Sequence, residues 1–121
     1  MDEQGRQDLE RYGSWERMTG GQWFLPSMPE AKNEHQRTFG LVKQLNELQN
    51  TDPESAKGIL REILPEESAV PGLHVPLNLE YGCNLVCGER VFINFGATIL
   101  AQATVTLGDG VMIGPNCSLI T

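Results

Sequence analysis

Side chains able to do nucleophilic, acid–base or metal chemistry are few in this sequence. Cysteine occurs only at Cys83, Cys87 and Cys117, and histidine only at His35 and His74. An odd number of cysteines without Cys-x-x-Cys spacing does not build a zinc knuckle, and two distant histidines do not complete one. The thiols are read as small, apolar core residues, and no metal site is expected. His35 falls in a predicted helix and His74 in a proline-rich joint. Both are read as surface or local packing residues rather than as a general base. The spacing Gly108-x-Gly110-x-x-x-Gly114 touches a dinucleotide fingerprint, but Pro115 stands where a helix would have to follow, so a phosphate loop is set aside.

The composition narrows the classes of partner. With 9 Lys and Arg against 16 Asp and Glu, the 121-residue chain carries a formal charge of −7. That charge repels nucleic acid and anionic lipid, and neither is an expected partner. No apolar run approaches the roughly 20 residues that span a bilayer, and Met1-Asp2-Glu3-Gln4 lacks the basic-then-apolar pattern of a signal peptide. A cytoplasmic location is the expectation.

Three segments follow from the pattern of side chains. Residues 1–17, with five acidic and three basic side chains, bury too little to offset the entropy of ordering and are expected to form a disordered tail, Trp15 docking once the rest folds. Residues 18–68 are expected to form a small helical domain. From Pro29, Ala31, Phe39, Val42 and Leu45 recur at the spacing of one helix face, with Leu41 and Leu48 beside them. Thr51-Asp52-Pro53-Glu54 then offers an N-cap, a first-turn proline and a first-turn carboxylate, and Pro65 ends the second helix after Ile59-Leu60 and Ile63-Leu64. At Val70 helix formers give way to Gly, Asn, Val, Ile and Thr, so residues 69–121 are read as strands.

The strands carry a six-residue beat. Hexads start at Tyr81, Cys87, Ile93 and Ile99, then after a two-residue offset at Leu107, Ile113 and Leu119. Gly82, Gly88, Asn94, Gly108 and Gly114 take the second position; Leu85, Val91, Ala97, Val111 and Cys117 take the fifth. One inward apolar side chain per side and a corner tolerant of unusual backbone describe a triangular coil. Three hexads give an expected coil of about 18 residues, with about two coils from Tyr81 to Thr121. Asp109-Gly110 alone would fit a hairpin, but a hairpin does not predict the same beat on both sides of itself. The expected fold class is mainly β, a parallel β-helix preceded by a small helical domain, left-handed by the family resemblance that its residues carry.

Tyr81-Gly82-Cys83-Asn84-Leu85-Val86-Cys87-Gly88, Val91-Phe92-Ile93-Asn94-Phe95 and Val105 through Asn116 resemble the opening coils of the maltose and galactoside O-acetyltransferases, relatives of the nodulation acetyltransferases. Met18-Thr19-Gly20-Gly21-Gln22-Trp23-Phe24, the helix from Pro29 to Asn46 and Thr51-Asp52-Pro53 resemble the helical domain preceding those coils. The resemblance implies transfer of an acetyl group from acetyl-CoA to a sugar hydroxyl, by homotrimers with sites between subunits and no metal. It implies a histidine general base, since a hydroxyl must lose its proton as it attacks the thioester. In the family that histidine follows Gly-Pro-Asn by a few residues in a Thr-x-His-Pro context, so it is expected beyond Thr121 and no catalytic residue is assigned within the chain. Asn94 matches the family asparagine lining the acceptor site, and Phe92 and Phe95 are candidates to wall it.

Two positions depart from the family. Ala101 stands where relatives commonly carry an aspartate, and Leu25 where they carry an acidic residue; carboxylates there accept hydrogen bonds from sugar hydroxyls. A non-catalytic subunit that associates with full-length relatives is the alternative function. A γ-type carbonic anhydrase on the same fold would need histidine ligands between residues 77 and 121, which hold none.

Overall fold

The computed structural model describes residues 1–121. Helices α1 (Glu3–Tyr12), α2 (Trp15–Thr19), α3 (Pro29–Leu48) and α4 (Pro53–Ile63) come first. Eight short strands follow: β1 (Gly72–Leu73), β2 (Leu77–Glu80), β3 (Leu85–Cys87), β4 (Phe92–Ile93), β5 (Ala97–Leu100), β6 (Val105–Leu107), β7 (Met112–Ile113) and β8 (Ser118–Ile120).

Helix α4 forms as its sequence signals require, with Asp52 accepting from the Ser55 amide at 3.2 Å and Pro53 in the first turn. Helix α3 buries Ala31, Thr38, Val42 and Leu45. Phe39, expected on that face, is 66% exposed. One residue is a rotation of about 100° on a helix, and the inward place is taken by its neighbour Thr38. The disordered tail expected at residues 1–17 is instead helical. Asp2 accepts from the Gly5 amide at 2.7 Å and Glu3 pairs with Arg6 one turn on, so α1 is encoded locally although none of its residues is buried. Trp15 meets Tyr81 edge-on at 6.0 Å and packs on a small cluster of Met18, Met28 and Ala31.

Every strand pairing is parallel and links residues 20 apart: Gly72 with Phe92, Leu77 with Ala97, Leu85 with Val105, Phe92 with Met112 and Thr98 with Ser118. The strands stack in the orders β1-β4-β7, β2-β5-β8 and β3-β6, three faces of one parallel helix of strands. The 18-residue period expected from the hexads is thus corrected to 20. The side running from Leu77 to Leu85, and again from Ala97 to Val105, is eight residues long, and a 3-10 turn at Gly82–Asn84 fills the first of these corners. The offset before Leu107 is therefore a feature of each turn. Coiling also starts before Tyr81, because Leu73, Val75, Leu77 and Leu79 are buried and alternate with exposed neighbours.

The corner geometry differs from expectation too. Left-handed backbone in the coil falls at Tyr81, at Arg90 and Gly110, and at Gly96 and Asn116, rather than at the second-position glycines. Gly82 and Gly88 serve close approach instead: a Cβ on Gly82 would lie 2.4 Å from Ile63 Cγ2, and one on Gly88 would lie 2.8 Å from the Asp109 amide nitrogen.

A single core runs from Val42, Leu45, Leu60 and Ile63 on the helices into Leu77, Leu85, Ile93 and Ile99 in the coil. Helix α3 lies across the first turn and also binds its backbone, with Thr38 Oγ1 accepting from the Gly82 amide at 3.0 Å and the C-cap residue Gln49 donating from Nε2 to Leu73 O at 3.0 Å. At the far end Met112 and Ile120 are exposed.

Candidate functional site

The 20-residue register sets His74, just after β1, beside Asn94, just after β4, on the outer side of one corner. The backbone holds both: the His74 amide donates to Ile93 O and the Asn94 amide to Ile113 O, each at 2.9 Å. Asn94 Oδ1 accepts from the Phe95 amide at 2.8 Å and lies 3.3 Å from His74 Nδ1. The imidazole sits perpendicular to Phe92 at 4.9 Å and stacks on Phe95 at 4.5 Å. Phe92 and Asn94 are half-buried, and Phe95 and His74 are exposed.

The structure brings Phe92, Asn94 and Phe95 together with His74, which is exposed and packed on both rings, as expected of a surface and local packing residue, and which also meets Asn94. The signal for His74 was present but hidden: with the period at 20 it falls on the position of Asn94, whereas an 18-residue period separates them. His35 lies elsewhere, stacked on Phe39 at 6.0 Å.

A second constellation occupies the next corner. Ala101 is fully buried, so a carboxylate there would be carried into the core. Glu80, one strand below and paired with Leu100, supplies a half-buried carboxylate at that corner and accepts from Gln102 Nε2 at 3.2 Å. Gln102 Oε1 is buried with no partner. Glu80 also borders a groove of about 530 Å³ between α3 and β2, floored by Leu77, Leu79 and Leu100 and rimmed by Phe39 and Lys43. None of its lining residues belongs to the His74–Asn94 corner. Leu25, the other departure, lies beside Tyr12 and Trp23.

The strongest electrostatic feature is a joint between helix and coil. Glu34 accepts from Arg37 Nη2 at 2.8 Å and Nε at 2.9 Å, from Thr38 at 3.1 Å and from the Cys83 amide at 3.3 Å. Burial pushes the Glu34 carboxyl up, but the hydrogen bonds from Arg37 and Cys83 and the Arg37 charge outweigh it and leave the pKa below the usual 4.5. Burial, with Glu34 beside it, pushes the Cys83 thiol up to about 12. All three cysteines are free, and Cys87 is buried. No group of three or more His, Cys, Asp or Glu side chains is arranged to hold a metal ion, and no helix is long and apolar enough to cross a membrane.

Helices packed across the first turn of a parallel coil of short strands define a capped β-helix. Residues 17–67 match the maltose acetyltransferase hexapeptide capping motif. Nodulation protein L of Rhizobium leguminosarum bv. viciae is 32% identical over 106 residues, covering 88% of this chain and 56% of that protein. Galactoside O-acetyltransferase of Escherichia coli is 27% identical over 104 residues, covering 86% of this chain and 51% of that one. Among solved structures, a hexapeptide-repeat acetyltransferase from Vibrio cholerae complexed with acetyl-CoA superposes with a TM-score of 0.70 at 27% identity, over 87% of this chain and 57% of that one. The chain carries that capping motif and is similar along most of its length to hexapeptide-repeat acetyltransferases of the maltose/galactoside type. It spans about half the length of the curated relatives it matches.

Proposed function

We propose that residues 1–121 form the helical cap and opening coils, about two in number and left-handed, of an acetyl-CoA-dependent O-acetyltransferase acting on a sugar hydroxyl. The observation that carries this reading is the Asn94 corner. An amide with one end already engaged by Phe95 and His74 keeps its Nδ2 donors for a hydroxyl oxygen, while the exposed rings of Phe95 and His74 offer apolar faces to a sugar. Glu80 at the neighbouring corner offers an acceptor for further hydroxyls.

These groups bind and orient the acceptor. Proton abstraction is assigned to a histidine outside residues 1–121, as the family resemblance implies, and His74 to holding Asn94. The two corners lie on different sides of one coil, so a trimer with sites between subunits is the arrangement that would use both. Beyond Arg61 the sequence holds one basic side chain, Arg90, and binding of the coenzyme A phosphates is assigned to later coils.

The test is acetyl transfer by the protein as its source produces it, with acetyl-CoA and a panel of mono- and disaccharides, followed by thiol release. Acetylated sugar together with free coenzyme A supports the reading. Coenzyme A release without sugar dependence overturns it. No turnover, combined with incorporation into the trimers of a full-length relative, would favour the non-catalytic subunit instead.

A further inference from the structure

We propose that His74 is a positioning residue for Asn94, acting through one hydrogen bond that fixes which end of the asparagine amide faces the acceptor. This rests on the acetyltransferase reading of the corner but deepens it with a residue that reading does not require. The backbone amide of Phe95 can only donate, so the Asn94 atom 2.8 Å from it is the oxygen. His74 Nδ1, 3.3 Å from that same oxygen, can then only be a donor. The neutral imidazole must carry its proton on Nδ1, leaving Nε2 as the acceptor. No protein group accepts from Asn94 Nδ2, so its two N–H bonds are the free donors of the corner.

The imidazole is itself held. Phe92 meets it edge-on and Phe95 stacks on it, and its backbone amide is tied to Ile93 O at 2.9 Å. Without the His74 donor, Asn94 would keep only the Phe95 amide as its anchor, and the side chain would gain freedom about χ2, which is a broad torsion in asparagine. Orientation at a binding group is lost more readily than the group, so the effect falls on acceptor binding.

The tautomer is the first measurement: nitrogen chemical shifts of the His74 ring in the intact labelled protein, read at a pH where those shifts show the ring to be neutral. Protonated Nδ1 with bare Nε2 is expected; protonated Nε2 would overturn the proposal whatever the enzyme does. The second is a double-mutant cycle in which His74→Phe keeps the ring contacts and removes the donor. A rise of about 10-fold in acceptor KM, with kcat and acetyl-CoA KM within about twofold, is expected in the wild-type background and none beyond that of Asn94→Ala in the Asn94→Ala background. Equal cost in both backgrounds would overturn the proposal. Absence of sugar acetylation by the wild-type protein would count against the functional reading alone, and the tautomer would still decide the role of His74.

Discussion

Asn46 on α3 makes to Leu77 both of the hydrogen bonds that a neighbouring strand would make: its Nδ2 donates to Leu77 O at 3.0 Å and its Oδ1 accepts from Leu77 N at 2.9 Å. Leu77 opens β2, an edge strand with β5 on one side only. A single side-chain amide thus supplies a donor and an acceptor at a sheet edge that would otherwise present unpaired backbone. Replacing Asn46 by Ala is predicted to destabilise the protein by about 2–3 kcal/mol, since both partners are left in a part-buried setting. Asn46→Asp should not rescue, because it sets a carboxylate oxygen against the Leu77 carbonyl. Urea denaturation of the three proteins checks both statements.

Gly82 seats the coil against the end of α4. Gly82→Ala would place its methyl 2.4 Å from Ile63 Cγ2 and 2.9 Å from Ile63 O, and backbone cannot move aside cheaply. A loss of about 1–3 kcal/mol is expected. Gly108→Ala, at the same hexad position with nothing within 4 Å, should differ from wild type by less than about 0.5 kcal/mol. Thermal unfolding of the two variants side by side would expose a wrong assignment if they behaved alike.

Glu34 predicts an acid limb of stability. Its folded pKa lies below the usual 4.5, so the carboxylate's contribution is complete above the unfolded value and is lost as the pH falls through the folded one. Stability between pH 7 and pH 5 should be flat with respect to this group and decline below about 4.5. Glu34→Gln should lower stability at pH 7 and flatten the decline, which a series of denaturation curves from pH 3 to 7 would show.

Burial and the pKa of about 12 make Cys83 a poor nucleophile at pH 8. In the native protein it should resist a disulfide-exchange reagent for hours, then label at once in denaturant; mass mapping of the labelled thiols identifies it. Rapid native labelling at Cys83 would mean that the contact between α3 and the Gly82–Asn84 turn opens readily.

Much of this architecture was legible in the residues. The cap at Asp52, the stop at Pro65 and the beat of Leu85, Val91 and Ala97 each reflect a local rule strong enough to survive folding. What was not legible depended on distance. Thr38 displaces Phe39 from the helix interface because its hydroxyl meets Glu34 and the Gly82 amide, partners 4 and 44 residues away. Leu73, Val75, Leu77 and Leu79 lie within the 69–121 segment read as strands but ahead of the first hexad at Tyr81, because Pro71 and Pro76 interrupt the six-residue beat there. The 18-residue count then hid the alignment of His74 with Asn94, which only the eight-residue sides bring into register.

The proposed acceptor-binding role of Asn94 is tested most directly by Asn94→Ala in the protein from its native source. The predicted result is a fall in kcat/KM for the sugar of roughly 10²-fold, a change in acetyl-CoA KM of less than about threefold and an unaltered unfolding midpoint. Sugar acetylation that proceeds at the wild-type rate without the Asn94 amide would contradict it.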